Sequence, residues 1–202
     1  MEIAHGDLLG YTDFEMTPLL SGYAQRERMQ VVQPFIRGDV LDIGCGATSV
    51  PEQLSATQSY VGIDKDQVFV DYCAGRYPNR IFYQRDLDAE DIALDDQTFD
   101  TVIMTAVIEH LQYPERVLRQ IHPLLSSEGL LLLTTPTRFG DLVHQVGGRL
   151  GLFCSESWVE HVKIFRRHEL FDVFTASGYD VVEYRRFGLG TNQLAACRAM
   201  TP

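Results

Sequence analysis

Val40-Leu41-Asp42-Ile43-Gly44-Cys45-Gly46 decides the fold: a short apolar strand stops at two glycines that flank a single residue. Downstream, Ser49-x-x-Glu52 has the spacing of a capping box, so the expected order is strand, glycine turn, helix. Such a turn lets a ligand approach the backbone closely. No side chain blocks the way, and amide groups are expected to point outward. Taken alone, Gly44-x-Gly46 is equally compatible with an ordinary turn.

Outward from this turn the pattern alternates. A strand is predicted over residues 59–63, a helix over 67–76 and a third strand over 81–84. Residues 99–104 are mostly apolar without alternation, as in a central parallel strand buried on both faces. Val117, Leu118, Ile121 and Leu125 then recur at helical spacing, and Glu128-Gly129 turns the chain into a strand over 130–134, closed by Pro136. A helix over 169–177 ends near Gly178 as its C-cap, and 179–184 with 192–198 read as a closing antiparallel pair. Alternating strands and helices define an α/β fold, a mostly parallel sheet with helices on both faces.

Two flanking segments are less regular. Thr17-Pro18 looks like an N-cap followed by proline at the first helical position, with Leu20, Ala24, Val31 and Phe35 on one face. Residues 1–36 are therefore expected to form an N-terminal helical cap. Between 137 and 164, Gly140, Gly147, Gly148 and Gly151 interrupt short apolar pieces, and this stretch is expected to be a lid insertion. The length of 202 residues fits one domain spanning 1–202.

Two carboxylates strengthen the reading of the turn. Asp64 ends the next strand, where it can accept both hydroxyls of a ribose. Asp86, in Arg85-Asp86-Leu87 after the third strand, is suited to an adenine amino group, with a helix cap as the weaker competing reading. The formal net charge of −11 would repel a phosphate backbone, so nucleic acid is not the expected partner. Cys45, Cys73, Cys154 and Cys197 are scattered with no close pair, which argues against a zinc ribbon or a Cys-x-x-Cys redox site; they read as reduced, mostly buried thiols, and no metal site is expected. No basic stretch with an apolar core opens the chain and no run is long enough to span a bilayer. The expectation is a cytoplasmic protein without membrane contact, as a monomer or a homodimer.

The ordered set of these motifs resembles the class I S-adenosylmethionine-dependent methyltransferases. Val40 to Gly46 is similar to the family's first motif. Val61-Gly62-Ile63-Asp64, Arg85-Asp86-Leu87, Phe99-Asp100-Thr101-Val102, Val107-Ile108-Glu109-His110-Leu111 and the stretch from Gly129 to Pro136 follow in the family's order. His161-x-x-x-Phe165, Glu169-Leu170 and Gly178-Tyr179 are similar to the ubiquinone-biosynthesis-type subgroup. The resemblance covers roughly residues 36 to 198. It implies a Rossmann-like seven-stranded sheet in the order 3-2-1-4-5-7-6 with strand 7 antiparallel. S-adenosylmethionine is the implied cofactor, bound at the carboxyl ends of the first strands.

Carried over residue by residue, the resemblance assigns Asp42 to organise the methionine end of the cofactor. Gly44, Cys45 and Gly46 would admit it, Asp64 would hold the ribose, and Asp86 with Leu87 would recognise adenine. Thr105 would offer a backbone contact to the amino acid moiety. Thr48 departs from the family, which often has a third glycine there, and a β-branched residue at that position can narrow the turn or cap the helix. Met104-Thr105-Ala106 lacks the Asn-Pro-Pro-Tyr type motif of enzymes that methylate nucleobase or glutamine nitrogens.

Methyl transfer from a sulfonium is an in-line displacement in which alignment is the main task. Ionising a phenol of pKa ~10 at pH 7 costs about 4 kcal/mol, and a positioned histidine recovers much of it. His161 and His110 are the candidate bases, each with a purely structural role as the competing reading. By family analogy the acceptor is a small molecule methylated at a hydroxyl oxygen. Two other functions remain open: a non-catalytic cofactor-binding or scaffold module, supported only by Thr48, and an NAD-dependent oxidoreductase. The latter is weakened because Ser49 stands where the last glycine of Gly-x-Gly-x-x-Gly should be.

Overall fold

The computed structural model describes residues 19–94, 97–149 and 162–200. In chain order these form α1 (Leu19–Val32), β1 (Val40–Ile43), β2 (Tyr60–Asp64), α2 (Gln67–Arg76), β3 (Ile81–Gln84) and β4 (Phe99–Thr105). There follow α3 (Pro114–Ile121), β5 (Leu125–Pro136), α4 (Arg138–Arg149), α5 (Arg167–Ala176), β6 (Tyr179–Phe187) and β7 (Asn192–Ala199). The seven strands form one sheet in the order β3-β2-β1-β4-β5-β7-β6. The first five run parallel, and β7 is antiparallel to both β5 and β6. The expected fold class and strand order are thus observed.

Local chemistry explains the elements that position the site. The carboxylate of Asp66 accepts from Val68 N at 2.9 Å and so caps α2. Pro114 occupies the first turn of α3, where its missing N–H costs nothing. That helix buries Val117, Leu118 and Ile121, each contributing roughly 1.5–3 kcal/mol of apolar burial.

The two-residue period of the strands separates two cores. Leu41, Ile43, Val102, Met104, Leu131 and Leu133 pack with the residues of α3 and α5. Val40, Tyr60, Ile103, Leu132 and Leu194 pack on the other face with Val32 and Met29 of α1. Both faces of the central strands are therefore dry, which is why β4 shows no alternation.

Several expectations change. The capping box at Ser49 does not form, and in place of a helix there is one 3-10 turn at Val50–Gln53. Its end coincides with Ser55, Thr57 and Ser59, which favour turns over a continuing helix. Leu125 lies in β5 rather than α3, because the chain pairs with Phe99 before shifting register around Gly129. The glycine-interrupted stretch after Pro136 contains a helix, α4. Gly140 is required there by contact, since a Cβ would overlap the Thr191 carbonyl. Thr137 Oγ1 accepts from Gly140 N at 3.0 Å and starts that helix. Thr17-Pro18, Gly151 and Cys154 lie outside the described residues. No described helix is long and apolar enough to cross a membrane.

Candidate functional site

The first strand ends in the expected tight turn, with Gly44 at φ +67° and Gly46 at φ +51°. A side chain at Gly44 would overlap Val107 Cγ2, whereas nothing lies within 4 Å of the direction a side chain would take at Gly46. The amides of the turn do not point outward as expected. Gly44 N and Cys45 N both donate to the Ile63 carbonyl, at 2.7 and 3.0 Å. Gly46 N donates to Asp64 Oδ2 at 2.7 Å. All three donors are committed to β2 and its terminal carboxylate.

Asp64 is held twice, because its Oδ1 also accepts from Asp66 N at 2.9 Å. Each oxygen of a carboxylate has two lone pairs, so one on each remains to accept a ligand hydroxyl. Asp64 lines a cleft of about 580 Å³ that also includes Gly44, Asp86, Leu87, Val107 and His110. That volume lies in the range of small-molecule and cofactor sites.

Asp42 faces away from this cleft, on the α1 side of β1. Its Oδ2 accepts from Tyr60 OH at 2.8 Å and from Thr48 Oγ1 at 3.0 Å. Burial raises its carboxyl to about 6, against the opposing effect of those two donors. Thr48 neither narrows the turn nor caps a helix. Its hydroxyl holds Asp42 and accepts from Val50 N at 3.1 Å, which explains a threonine where the family often has glycine.

The structure places the remaining sequence candidates as follows. The Cys45 side chain is buried against Gly62, and burial pushes its thiol up. Asp86 lines the cleft, and its Oδ1 accepts from Asp88 N at 3.0 Å to close a turn; no helix starts there for it to cap. Leu87 lies at the cleft wall, buried to 6% exposure. Thr105 is not among the lining residues. The strand end is instead presented by Ala106, at φ +54°, and Val107. His110 lines the cleft, and His161 lies outside the described residues.

Sequence reasoning missed Phe69, Arg85, Ala106 and Gln112, all of which line the cleft. Phe69 sits in the first turn of α2, so an aromatic three residues into the helix after Asp66 was a usable signal. An alanine with positive φ leaves no trace in a sequence. Glu109 was quoted but not singled out. It is 1% exposed, accepts from Thr135 Oγ1 at 2.9 Å, and its carbonyl receives Val162 N and Lys163 N at 2.8 and 3.1 Å. Burial raises its carboxyl, opposed among other effects by the nearby Arg28 guanidinium.

Comparison with known proteins agrees with this geometry. A family described as a methyltransferase domain matches residues 20–184, and the chain belongs to that family. A probable S-adenosylmethionine-dependent methyltransferase of Mycobacterium tuberculosis is 32% identical over 101 residues, covering 50% of this chain and 36% of that protein. The ubiquinone biosynthesis O-methyltransferase of Coxiella burnetii is 30% identical over 103 residues, covering 49% of this chain and 44% of that protein. The matched region thus spans less than half the length of either relative. Among solved structures, the methyltransferase in complex with the Trm112 activator of Haloferax volcanii superposes with a TM-score of 0.70 at 15% identity. It covers 90% of this chain and 93% of that one. That likeness concerns the fold.

Membership of the family implies S-adenosylmethionine as the cofactor, and the residues present fit it. The cleft combines the Gly44 end of the glycine turn, a carboxylate with spare lone pairs and the apolar walls of Leu87 and Phe69. A pyrophosphate fits poorly, because anions are held by free amides at a helix N-terminus. Here the amides are used and only a 3-10 turn follows.

Proposed function

We propose that the chain is an S-adenosylmethionine-dependent methyltransferase that acts on a small-molecule acceptor at a hydroxyl oxygen. The observation that carries this reading is the closed glycine turn, with its amides donated inward to Ile63 and Asp64 while carboxylates line the cleft. A turn without free amides disfavours an anionic dinucleotide, and Asp64, Asp86 and Asp88 share the cleft wall with Lys65 and Arg85, a mixed lining that suits the sulfonium and amino acid charges of an adenosyl amino acid. The similarity to an O-methyltransferase supports oxygen as the target.

When bound, the cofactor supplies an electrophilic methyl group on sulfur. Asp64 holds the ribose hydroxyls, Asp86 and Leu87 the adenine, and the backbone at Thr105 and Ala106 the amino acid moiety. Asp42 acts through the turn, since its side chain is tied to Thr48 and Tyr60 on the far side of β1. His110, in the cleft wall, and His161 are the groups that take the acceptor's proton. The chain acts as a single domain; of the expected N-terminal cap and lid insertion, residues 1–18 and 150–161 lie outside the described residues.

The test is release of S-adenosylhomocysteine with phenolic, amine and carboxylate acceptors. Turnover with hydroxyl acceptors, reduced about 10²-fold or more in whichever of His110→Ala and His161→Ala removes the base, supports the proposal. Cofactor binding without turnover on any acceptor assigns the chain to the non-catalytic class. Full turnover in both histidine variants removes the base from the mechanism.

A further inference from the structure

Beneath α1 lies a polar layer that the cofactor cleft does not use. Among the described residues, Arg28 Nε, Thr134 Oγ1 and Asn192 Oδ1 are buried side-chain atoms without a hydrogen-bond partner in the protein. Thr134 and Asn192 themselves are 0% and 2% exposed. A buried polar atom left unpaired costs stability and calls for a ligand or a water.

Sheet register brings two of them, Thr134 and Asn192, together. Thr134 stands opposite Leu194 and Pro136 opposite Asn192 in the antiparallel β5–β7 pair. Thr134 and Asn192 are therefore diagonal neighbours on one face, within reach of a shared small group. That face is the one Leu132 and Leu194 share with Val32 of α1. Arg28 lies one helical turn before Val32 and points the same way. Helix α1 lies over this strand end: a Cβ built on Gly188 would lie 2.8 Å from Glu27 Oε2 and 3.5 Å from Asn192 Nδ2.

The layer adjoins the reaction site. It occupies the carboxyl end of β5, and Arg28 lies within the field of Glu109, the residue that precedes His110 in the cleft wall. The other unpartnered guanidinium atom on this face, Arg185 Nε, lies further toward the C-terminal end of α1. Its group is already engaged there by the Val31 carbonyl at 2.8 Å and by Glu183.

The donor and acceptor pattern defines the ligand. Arg28 Nε can only donate. Thr191 Oγ1 gives its proton to the Gly188 carbonyl at 2.7 Å, so it accepts from Asn192 Nδ2 at 3.0 Å. This fixes the amide orientation and leaves Asn192 Oδ1 as an acceptor facing the layer. A group that accepts from Arg28 and donates to Asn192 at once is a hydroxyl. A carboxylate only accepts, and an ammonium only donates.

We infer that Arg28, Thr134 and Asn192 form the acceptor-recognition subsite and hold a hydroxyl of the acceptor. The inference rests on the methyltransferase reading and deepens it. Its test uses the full chain saturated with S-adenosylhomocysteine and titrated with phenol, anisole or benzoate, observing the Arg28 Nε–H and Asn192 side-chain amide signals by NMR. Phenol is expected to shift both signals and to bind at least about 10-fold more tightly than anisole or benzoate, as sites built around a hydroxyl do. Thr134→Val is expected to weaken phenol about 5-fold or more while leaving S-adenosylhomocysteine affinity unchanged. Equal binding of anisole, or phenol binding indifferent to Thr134→Val, overturns the subsite and leaves ordered water as the partner of these atoms. If S-adenosylhomocysteine itself does not bind, the methyltransferase reading fails, and the subsite with it.

Discussion

The amide of Gly46 donates to Asp64 Oδ2 at 2.7 Å, joining the glycine turn after β1 to the carboxylate that ends β2. One side chain thus shapes the turn and lines the cleft, so a change at Asp64 should alter both. Asp64→Asn keeps the size but cannot accept at both positions. Hydrogen bonds to charged groups are worth about 1.5–3 kcal/mol, so S-adenosylmethionine affinity is expected to fall about 10- to 100-fold. Calorimetric titration checks this, and an unchanged affinity would separate the turn from the ribose site.

The two turn glycines are expected to differ. Both have positive φ, which costs a side chain roughly 1 kcal/mol. Only at Gly44 would the new methyl also overlap Val107. Gly44→Ala is therefore expected to lose about 3 kcal/mol of stability and Gly46→Ala about 1 kcal/mol. Urea denaturation of the two variants reads the difference, and equal losses would contradict the packing against Val107.

Thr48→Gly restores the residue that the family often has, yet it is expected to be harmful. The substitution removes the hydroxyl bonded to Asp42 and Val50. The expected loss is about 1–2 kcal/mol of stability, with no gain in cofactor affinity. A variant that binds the cofactor more tightly than the natural chain would show that Thr48 restricts the turn after all.

Asp42 gives the protein a pH dependence of definite sign. Its carboxyl rises from 3.8 to about 6 on folding, chiefly through burial. Between pH 4 and pH 6 the folded state keeps a proton that the unfolded state has released, so stability falls as pH rises through this window. At ~1.36 kcal/mol per pH unit the full effect is at most about 3 kcal/mol. Denaturation of the natural chain and Asp42→Asn from pH 4 to pH 7 isolates it. The variant should lack this slope, and identical profiles would place the titration elsewhere. Binding of a cationic cofactor favours the ionised form and is expected to tighten as pH rises through about 6.

Much of the fold was legible because the strands carry their burial in their composition. The residues from Phe99 to Met104 could only be a strand dry on both sides, and the glycine pair marked the end of β1. Asp64 was legible as a strand-terminal carboxylate. The direction of the turn's amides was not, since it depends on which carbonyl of β2 lies opposite, a fact of register. Thr48 looked like a defect because its partner Asp42 stands six positions away and on the side of β1 remote from the cleft. The helix at Arg138–Arg149 was hidden by glycines that serve contact, as Gly140 does against Thr191. The buried set of Arg28, Thr134 and Asn192 has no sequence signature, because three separate elements supply it.

The turn from Ile43 to Gly46, closed on β2, is expected to cradle an adenosyl amino acid and to reject a pyrophosphate. Calorimetric titration of the full chain with S-adenosylmethionine and, in parallel, with NAD distinguishes the two. The expected result is saturable binding of S-adenosylmethionine and no detectable binding of NAD. Saturable binding of NAD, with S-adenosylmethionine silent, would make the turn a pyrophosphate site instead.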